Sequence, residues 1–224
     1  MRSADAQVDD LVKRALTIES HAIATIPLDN PFQEITTLIH ERCHDHDGKV
    51  VLSGVGKAGG VASKLATTFS STGTPAVFLH PLEAVHGDIG VLRHQDVLFL
   101  ISNSGETREI VELVPLCRRL VGELPVICMT GRPNSSLADL ADHVLLTGTP
   151  KEICPLGLTP TTSTTVMGVL GDILVMLQMT RTGFGERDYA LRHHGGYLGG
   201  TARAKLQASS IADKASDQRF RRSR

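Results

Sequence analysis

From Asp96 to Ile101 the chain is almost continuously apolar, Val97-Leu98-Phe99-Leu100-Ile101, and it then breaks into Ser102-Asn103-Ser104-Gly105-Glu106-Thr107. A short apolar run bounded by turn residues reads as a strand buried on both faces. Beyond the turn, Ile110, Leu113, Val114, Cys117 and Val121 recur every three or four residues, so a helix follows with one face buried. At such a junction the unpaired helix N–H groups and the positive end of the macrodipole face whatever anion lies there, and Ser and Thr hydroxyls add donors. The turn holds more polar side chains than one helix cap uses, which points to a phosphate-bearing ligand as well as to capping.

The same alternation recurs along the chain. Lys49–Ser53, Ala76–Leu79, Pro125–Thr130 and Asp142–Leu146 read as four further strands, separated by helical patterns and without hairpin signatures. Five strands alternating with helices call for an α/β fold, a parallel sheet covered on both faces. In such sheets ligands bind beyond the carboxyl ends of the strands, where the loops 54–60, 80–88 and 102–107 all fall.

Ahead of the first strand, Val8, Leu11, Val12, Ala15, Leu16, Ala22, Ile23 and Ile26 form one helical stripe, and Phe32, Ile35, Ile39 and Cys43 a second. This leading pair buries its stripes either in the domain core or in a subunit interface. His44-Asp45-His46-Asp47 reads as the solvated polar end of the second helix. The resulting division is 1–47 as N-terminal helices, 48–200 as the main domain, and 201–224 as a basic, unstructured tail.

Composition removes several classes. With 41% hydrophobic and 21% charged residues the 224-residue chain is neither disordered throughout nor membrane-like. The tail carries seven Lys and Arg against Asp213 and Asp217, which leaves the rest acidic and unlike a nucleic-acid binder. Cys43, Cys117, Cys128 and Cys154 form no CxxC pair, arguing against a zinc knuckle or a disulfide framework and for a reducing, cytoplasmic setting. Residues 1–18 show no secretory signal. The apolar run Val166–Met179 includes Asp172 and Gln178 and is too short to span a bilayer, so it reads as a buried helix.

Gly54-Val55-Gly56-Lys57-Ala58-Gly59-Gly60 formally contains GxGxxG, but the next strand ends in His80-Pro81 instead of the acidic residue a dinucleotide site needs, and a P-loop's GK[ST] ending is missing. These glycines are read as letting the backbone approach a ligand, with Lys57 at the mouth of the sheet. His80, Glu83, His86 and Asp88 crowd the next loop. Glu152 lies in a Pro- and Gly-rich loop, and Thr161-Thr162-Ser163-Thr164-Thr165 opens the following helix as a second run of anion-competent hydroxyls. Arg187–Arg192 is a short last helix that delivers His193-His194-Gly195-Gly196.

Taken together, Gly54–Gly59, Ser71–Ala76, His80–Asp88, Ser102–Thr107 and Cys154–Thr165 resemble the sugar isomerase (SIS) domains, and within them the D-arabinose 5-phosphate isomerases, over about 38–200. The resemblance implies a three-layer sandwich with a five-stranded parallel sheet in flavodoxin-like order. It also implies interconversion of D-ribulose 5-phosphate and D-arabinose 5-phosphate in a homotetramer with shared active sites, feeding Kdo, lipopolysaccharide or capsule synthesis. Carried over by position, Lys57, Glu109, Glu152 and His193 are catalytic, and Gly73, Thr74, His80, His86 and the Ser102, Asn103, Ser104, Thr107 cradle contact the substrate. His80 resembles a position where the family takes up zinc, which turnover does not require; no cofactor, nucleic acid or membrane is implied. Two departures stand out. Arg192-His193-His194-Gly195-Gly196 replaces the family's Ser-His-Pro-Gly-Gly, and members continue into a pair of CBS modules where this sequence has only its basic tail, so nucleotide sensing through that pair is not expected.

The implied chemistry is a proton shift between C1 and C2 through an enediolate. It needs a base for a carbon-bound proton, stabilisation of the oxyanion, an acid or base for ring opening, and a phosphate anchor. The phosphate falls to Ser102, Ser104 and Thr107, with Thr161–Thr164 in support. Glu152 is the preferred base and Glu109 the alternate. His193 or His86 handles hydroxyl protons, and Lys57 offsets the enediolate charge. Two other readings share the fold: a regulatory module that binds a sugar phosphate, and an isomerase for another ketose phosphate.

Overall fold

The structure, a computed structural model, describes residues 4–206. Five strands, β1 (Val50–Gly54), β2 (Ala76–Phe78), β3 (Val97–Ile101), β4 (Val126–Thr130) and β5 (His143–Leu146), form one all-parallel sheet in the order β2-β1-β3-β4-β5. The central strands β1, β3 and β4 are buried along their whole length, as a sheet covered on both faces requires.

Alternate side chains feed two cores. Val50, Leu52, Val97, Phe99, Ile101, Ile127 and Met129 pack under α1 (Ala4–Ala24), α2 (Phe32–His40), α3 (Gly56–Ser71) and α7 (Thr162–Thr182). Val51, Leu98, Leu100, Val126 and Cys128 pack on the other face against α4 (Pro81–Ala84), α5 (Arg108–Val121) and α6 (Ser136–Leu140). The result is the three-layer sandwich expected from the alternation. Each fully buried Leu, Ile or Phe in these cores contributes about 1.5–3 kcal/mol of transfer free energy.

α3 and α7 lie side by side and run the same way: Lys57 shares a groove with Thr164 and Thr165, and further along Lys64 pairs with Asp172. Both start at the carboxyl edge of the sheet. α7 has the length and apolar composition to cross a membrane, but it packs against α1, α2 and α3 and is half buried, as the sequence indicates for a core helix.

The leading helices divide their stripes. Ile35, Ile39 and Cys43 are buried, as are Ala22 and Ile26, while Val8, Leu11, Val12, Leu16 and Ile23 remain exposed on α1, Leu16 at 65%. The polar segment after α2 is less solvated than its sequence suggests. Glu41–Asp45 is a π-helical turn, and in it His44 stacks on His40 and places Nε2 3.2 Å from Thr74 Oγ1. Burial and the neighbouring His40 lower the His44 pKa. At this amino edge Asp96, 1% exposed, accepts hydrogen bonds from the Lys49 and Arg93 N–H groups and the Lys49 ammonium, which ties the entry of β3 to that of β1.

After α7, α8 (Glu186–Arg192) precedes a final helix, α9, at residues 196–206. The tail expected to be unstructured from 201 is therefore helical over 201–206, where Ala202 is buried and Lys205 pairs with Glu186. The remainder of that tail lies outside the described residues.

Candidate active site

β1 and β3 are adjacent in the sheet, yet α3 leaves β1 on one face and α5 leaves β3 on the other. A crevice opens at this switch of direction, between 54–57 and 102–107. Five helices begin along the same carboxyl edge, and three of their starts are already occupied by side chains. His80 Nδ1 accepts from the Leu82 N–H at the start of α4. Ser135 Oγ accepts from Ala138 at α6, and the Glu106 carboxylate accepts from the Ser136 N–H and hydroxyl. Glu152 occupies α7. Of the five, only α3 and α5 begin with no side-chain cap: Val55 offers no acceptor, and the Thr107 hydroxyl is engaged with Ser102 Oγ at 2.8 Å. The two open N-termini flank the crevice, which gives it the unpaired N–H groups best suited on this edge to an anion.

The Ser102–Thr107 turn is held rigid. Gly105 has φ +65°, and a Cβ there would lie 2.0 Å from Ser135 Oγ, so both conformation and space demand glycine. Glu106 pins the turn to α6, and the two Ser136 hydrogen bonds, hydroxyl first, hold its carboxyl below the usual range. The Asn103 carbonyl accepts from Gly131 N–H at 3.0 Å. Beside it, Ser53 at the end of β1 is fully buried, with its hydroxyl unpartnered among the described residues. Nothing in the sequence marks Ser53 except its place before Gly54.

Two glycines of the first loop serve packing. A Cβ on Gly59 would lie 2.6 Å from the Gly54 carbonyl oxygen, so this pair allows α3 to close on the end of β1. Lys57 stands exposed in the first turn of α3.

A cleft of about 810 Å³ adjoins the turn, lined by Arg14, Ala15 and Ile18 of α1, Asn103, and the 150–160 loop including Glu152 and Cys154. Glu152 Oε2 accepts from the Thr161 N–H at 2.7 Å, the Thr161 hydroxyl at 2.8 Å and the Ser163 N–H at 3.3 Å. Partial burial opposes ionisation of Glu152, but hydrogen bonds from Ser163 and Thr161 outweigh it and keep the carboxyl below its ordinary pKa. It is a carboxylate at neutral pH. Of the Thr161–Thr164 run, Thr161 holds Glu152, the Thr164 hydroxyl donates to the Thr161 carbonyl, and Thr162 and Ser163 are buried. Capping and anion binding use the same residue types, so sequence alone does not separate them.

The other expected residues fall in two groups. Glu109, exposed in the first turn of α5, and His80 and the exposed His86 beyond β2 share the carboxyl edge with Lys57, Glu152 and the 102–107 turn. Gly73 and Thr74 do not. They lie between the end of α3 and the start of β2, at the amino edge, where Thr74 meets His44 and Gly73 meets Phe184. His193 belongs to that side too. It follows Arg192, which packs on Phe184 near Gly73, and it stacks on Tyr189 with ring centroids 3.8 Å apart. One chain thus does not bring Gly73, Thr74 and His193 to the crevice. Among the described residues no three His, Cys, Asp or Glu, those near His80 included, are grouped to hold a metal.

A parallel α/β sandwich with two uncapped helix starts at its switch point and a carboxylate in the adjoining cleft has the layout of the α/β proteins that bind ligands beyond the carboxyl ends of their strands. The chain belongs to the SIS domain family, which it matches over residues 45–177. Among curated relatives it is 48% identical over 187 residues to the arabinose 5-phosphate isomerase KdsD of Escherichia coli K12, covering 84% of this chain and 56% of that protein. It is 49% identical over 152 residues to the KdsD of Pseudomonas aeruginosa, covering 68% and 46%. The chain spans about half the length of these relatives. Among solved structures, a Bacteroides fragilis NCTC 9343 protein involved in capsule formation superposes with TM-score 0.83 at 52% identity, covering 85% of this chain and 99% of its own. The c3406 protein of E. coli CFT073, solved in complex with arabinose 5-phosphate, superposes with TM-score 0.76 at 39% identity over 86% and 100%.

Proposed function

We propose that the chain is an aldose–ketose isomerase that interconverts D-ribulose 5-phosphate and D-arabinose 5-phosphate. The observation that carries this is the pairing of an uncapped double helix terminus at the switch point with an ionised carboxylate, Glu152, in the cleft beside it. The names of its curated relatives and the sugar-phosphate complex of a solved neighbour support the choice of substrate.

In this reading the phosphate sits against Ser102, Ser104, Thr107 and the first N–H groups of α3 and α5. Anchoring that end holds C1 and C2 toward the cleft, where Glu152 removes the carbon-bound proton and returns it to the neighbouring carbon. Lys57 offsets the enediolate charge. Glu109 is the alternate base. The proton shift is written with these side chains alone and needs no metal or cofactor.

Gly73, Thr74 and His193 enter through a neighbouring copy. The exposed apolar stripe of α1 supplies a surface for such an assembly, and its Arg14 already borders the cleft. We take the assembly to be a homotetramer in the cytoplasm, with the product feeding lipopolysaccharide or capsule synthesis; the B. fragilis neighbour is involved in capsule formation.

Incubating the purified chain with ribulose 5-phosphate in heavy water and following it by NMR tests the reaction. Arabinose 5-phosphate is expected, with deuterium at C2 to the extent that the proton held on Glu152 exchanges with solvent before it is returned. Binding without turnover would move the chain to the sensor reading, and turnover of only another ketose phosphate would change the substrate.

A further inference from the structure

We infer that Thr161 is the positioning residue for Glu152: its hydroxyl helps hold one carboxylate oxygen to the protein so that the other is left to meet the substrate. The inference rests on Glu152 being the base. Three donors converge on this carboxylate, and all of them reach Oε2. Thr161 supplies two of the three, and its hydroxyl also accepts from the Ile153 N–H at 3.2 Å. That second bond takes up an acceptor site of the hydroxyl and leaves its single proton for Glu152. The 152–161 loop is thereby cross-tied at the residue following the base, with the tie and all three donors gathered on the Oε2 side.

With all three donors on one oxygen, the other oxygen of the carboxylate is left without a protein partner in this set, and the Thr161–Ile153 tie fixes the hydroxyl that holds the first. The same contacts keep Glu152 ionised. The charged and titratable groups that share its cleft are Arg14 from α1 and Lys151 and Cys154 from its own loop; the 102–107 turn presents the neutral Asn103. Removing the Thr161 hydroxyl removes one donor to the carboxylate, so the carboxyl titrates higher.

The test measures kcat, KM and the pH profile of kcat/KM for Thr161→Val, Thr161→Ala and Thr161→Ser in the full chain, with ribulose 5-phosphate as substrate. Val and Ala are expected to lower kcat by about 10-fold or more with KM nearly constant, and to move the acid limb to higher pH, whereas Ser restores both. An inflection from Cys154 would stay in place across the series. Wild-type kcat and an unmoved acid limb in Val or Ala, with only thermal stability lowered, would overturn the inference. Glu152→Gln separates the two layers: if it retains activity, Glu152 is not the base, and if it is inactive while Thr161→Val is not impaired, only the positioning role falls.

Discussion

In the proposed reaction Glu152 would join catalysis to stability in one side chain. As base, its replacement in Glu152→Gln should cost about 100- to 10,000-fold in kcat, measured by the same NMR assay. Because Oε2 also occupies the start of α7, the variant should lose about 1 kcal/mol of stability, read from urea unfolding. A carboxyl held below its ordinary pKa stabilises the fold above the unfolded-state value, and the contribution disappears as pH falls through the folded value. Acid unfolding of Glu152→Gln should therefore be less steep than that of the parent. Cys154 is the other residue set apart by its surroundings. Hydrogen bonds from the Thr159 hydroxyl and the Thr159, Leu158 and Leu156 N–H groups pull its thiol down to about 6, while burial pushes Cys43, Cys117 and Cys128 up to about 12. At pH 7 a limiting amount of maleimide should label Cys154 first, by peptide mapping, and bound sugar phosphate should protect it. Labelling elsewhere first would show the cleft to be closed.

The elements most legible in the sequence were those dominated by burial. β1, β3 and β4 are apolar runs because both faces are covered, and the stripe of α5 predicts its buried residues one for one. Less legible were residues whose chemistry suits two tasks. Thr161 and Ser163 have the composition of an anion cradle but hold a carboxylate, and Gly54 and Gly59 have that of a phosphate loop but seat a helix on a strand. Gly73 and Thr74 needed topology as well as resemblance: a residue just before a parallel strand lies at the amino edge, far along the sheet from the turn after the neighbouring strand. The two edges can be separated by mutation. Asp96→Ala removes the acceptor of three hydrogen bonds at the amino edge and should destabilise the fold by about 3 kcal/mol in urea unfolding. KM for the sugar phosphate should stay unchanged; a raised KM would mean that the edges communicate.

At the scale of the whole molecule, the proposed assembly links the exposed stripe of α1 to the separation of Gly73, Thr74 and His193 from the crevice. Leu16→Glu together with Val12→Glu should convert the assembly to smaller species in sedimentation while leaving each core intact, because both residues are exposed. Activity should fall in step with dissociation, since Gly73, Thr74 and His193 of one copy would no longer reach the crevice of another. A dissociated chain with full activity would place every needed group in one copy. The first 47 residues divide between two surroundings: Ala22, Ile26, Ile35, Ile39 and Cys43 join the chain's own core, while Val8, Leu11, Val12 and Leu16 of α1 stay exposed. The open starts of α3 and α5 have one more consequence. They attract with fixed backbone dipoles that have no proton to lose, so the crevice should favour the doubly charged form of a phosphate monoester. Below about pH 6, where such an ester takes up a proton, binding should weaken, and added salt should weaken it further.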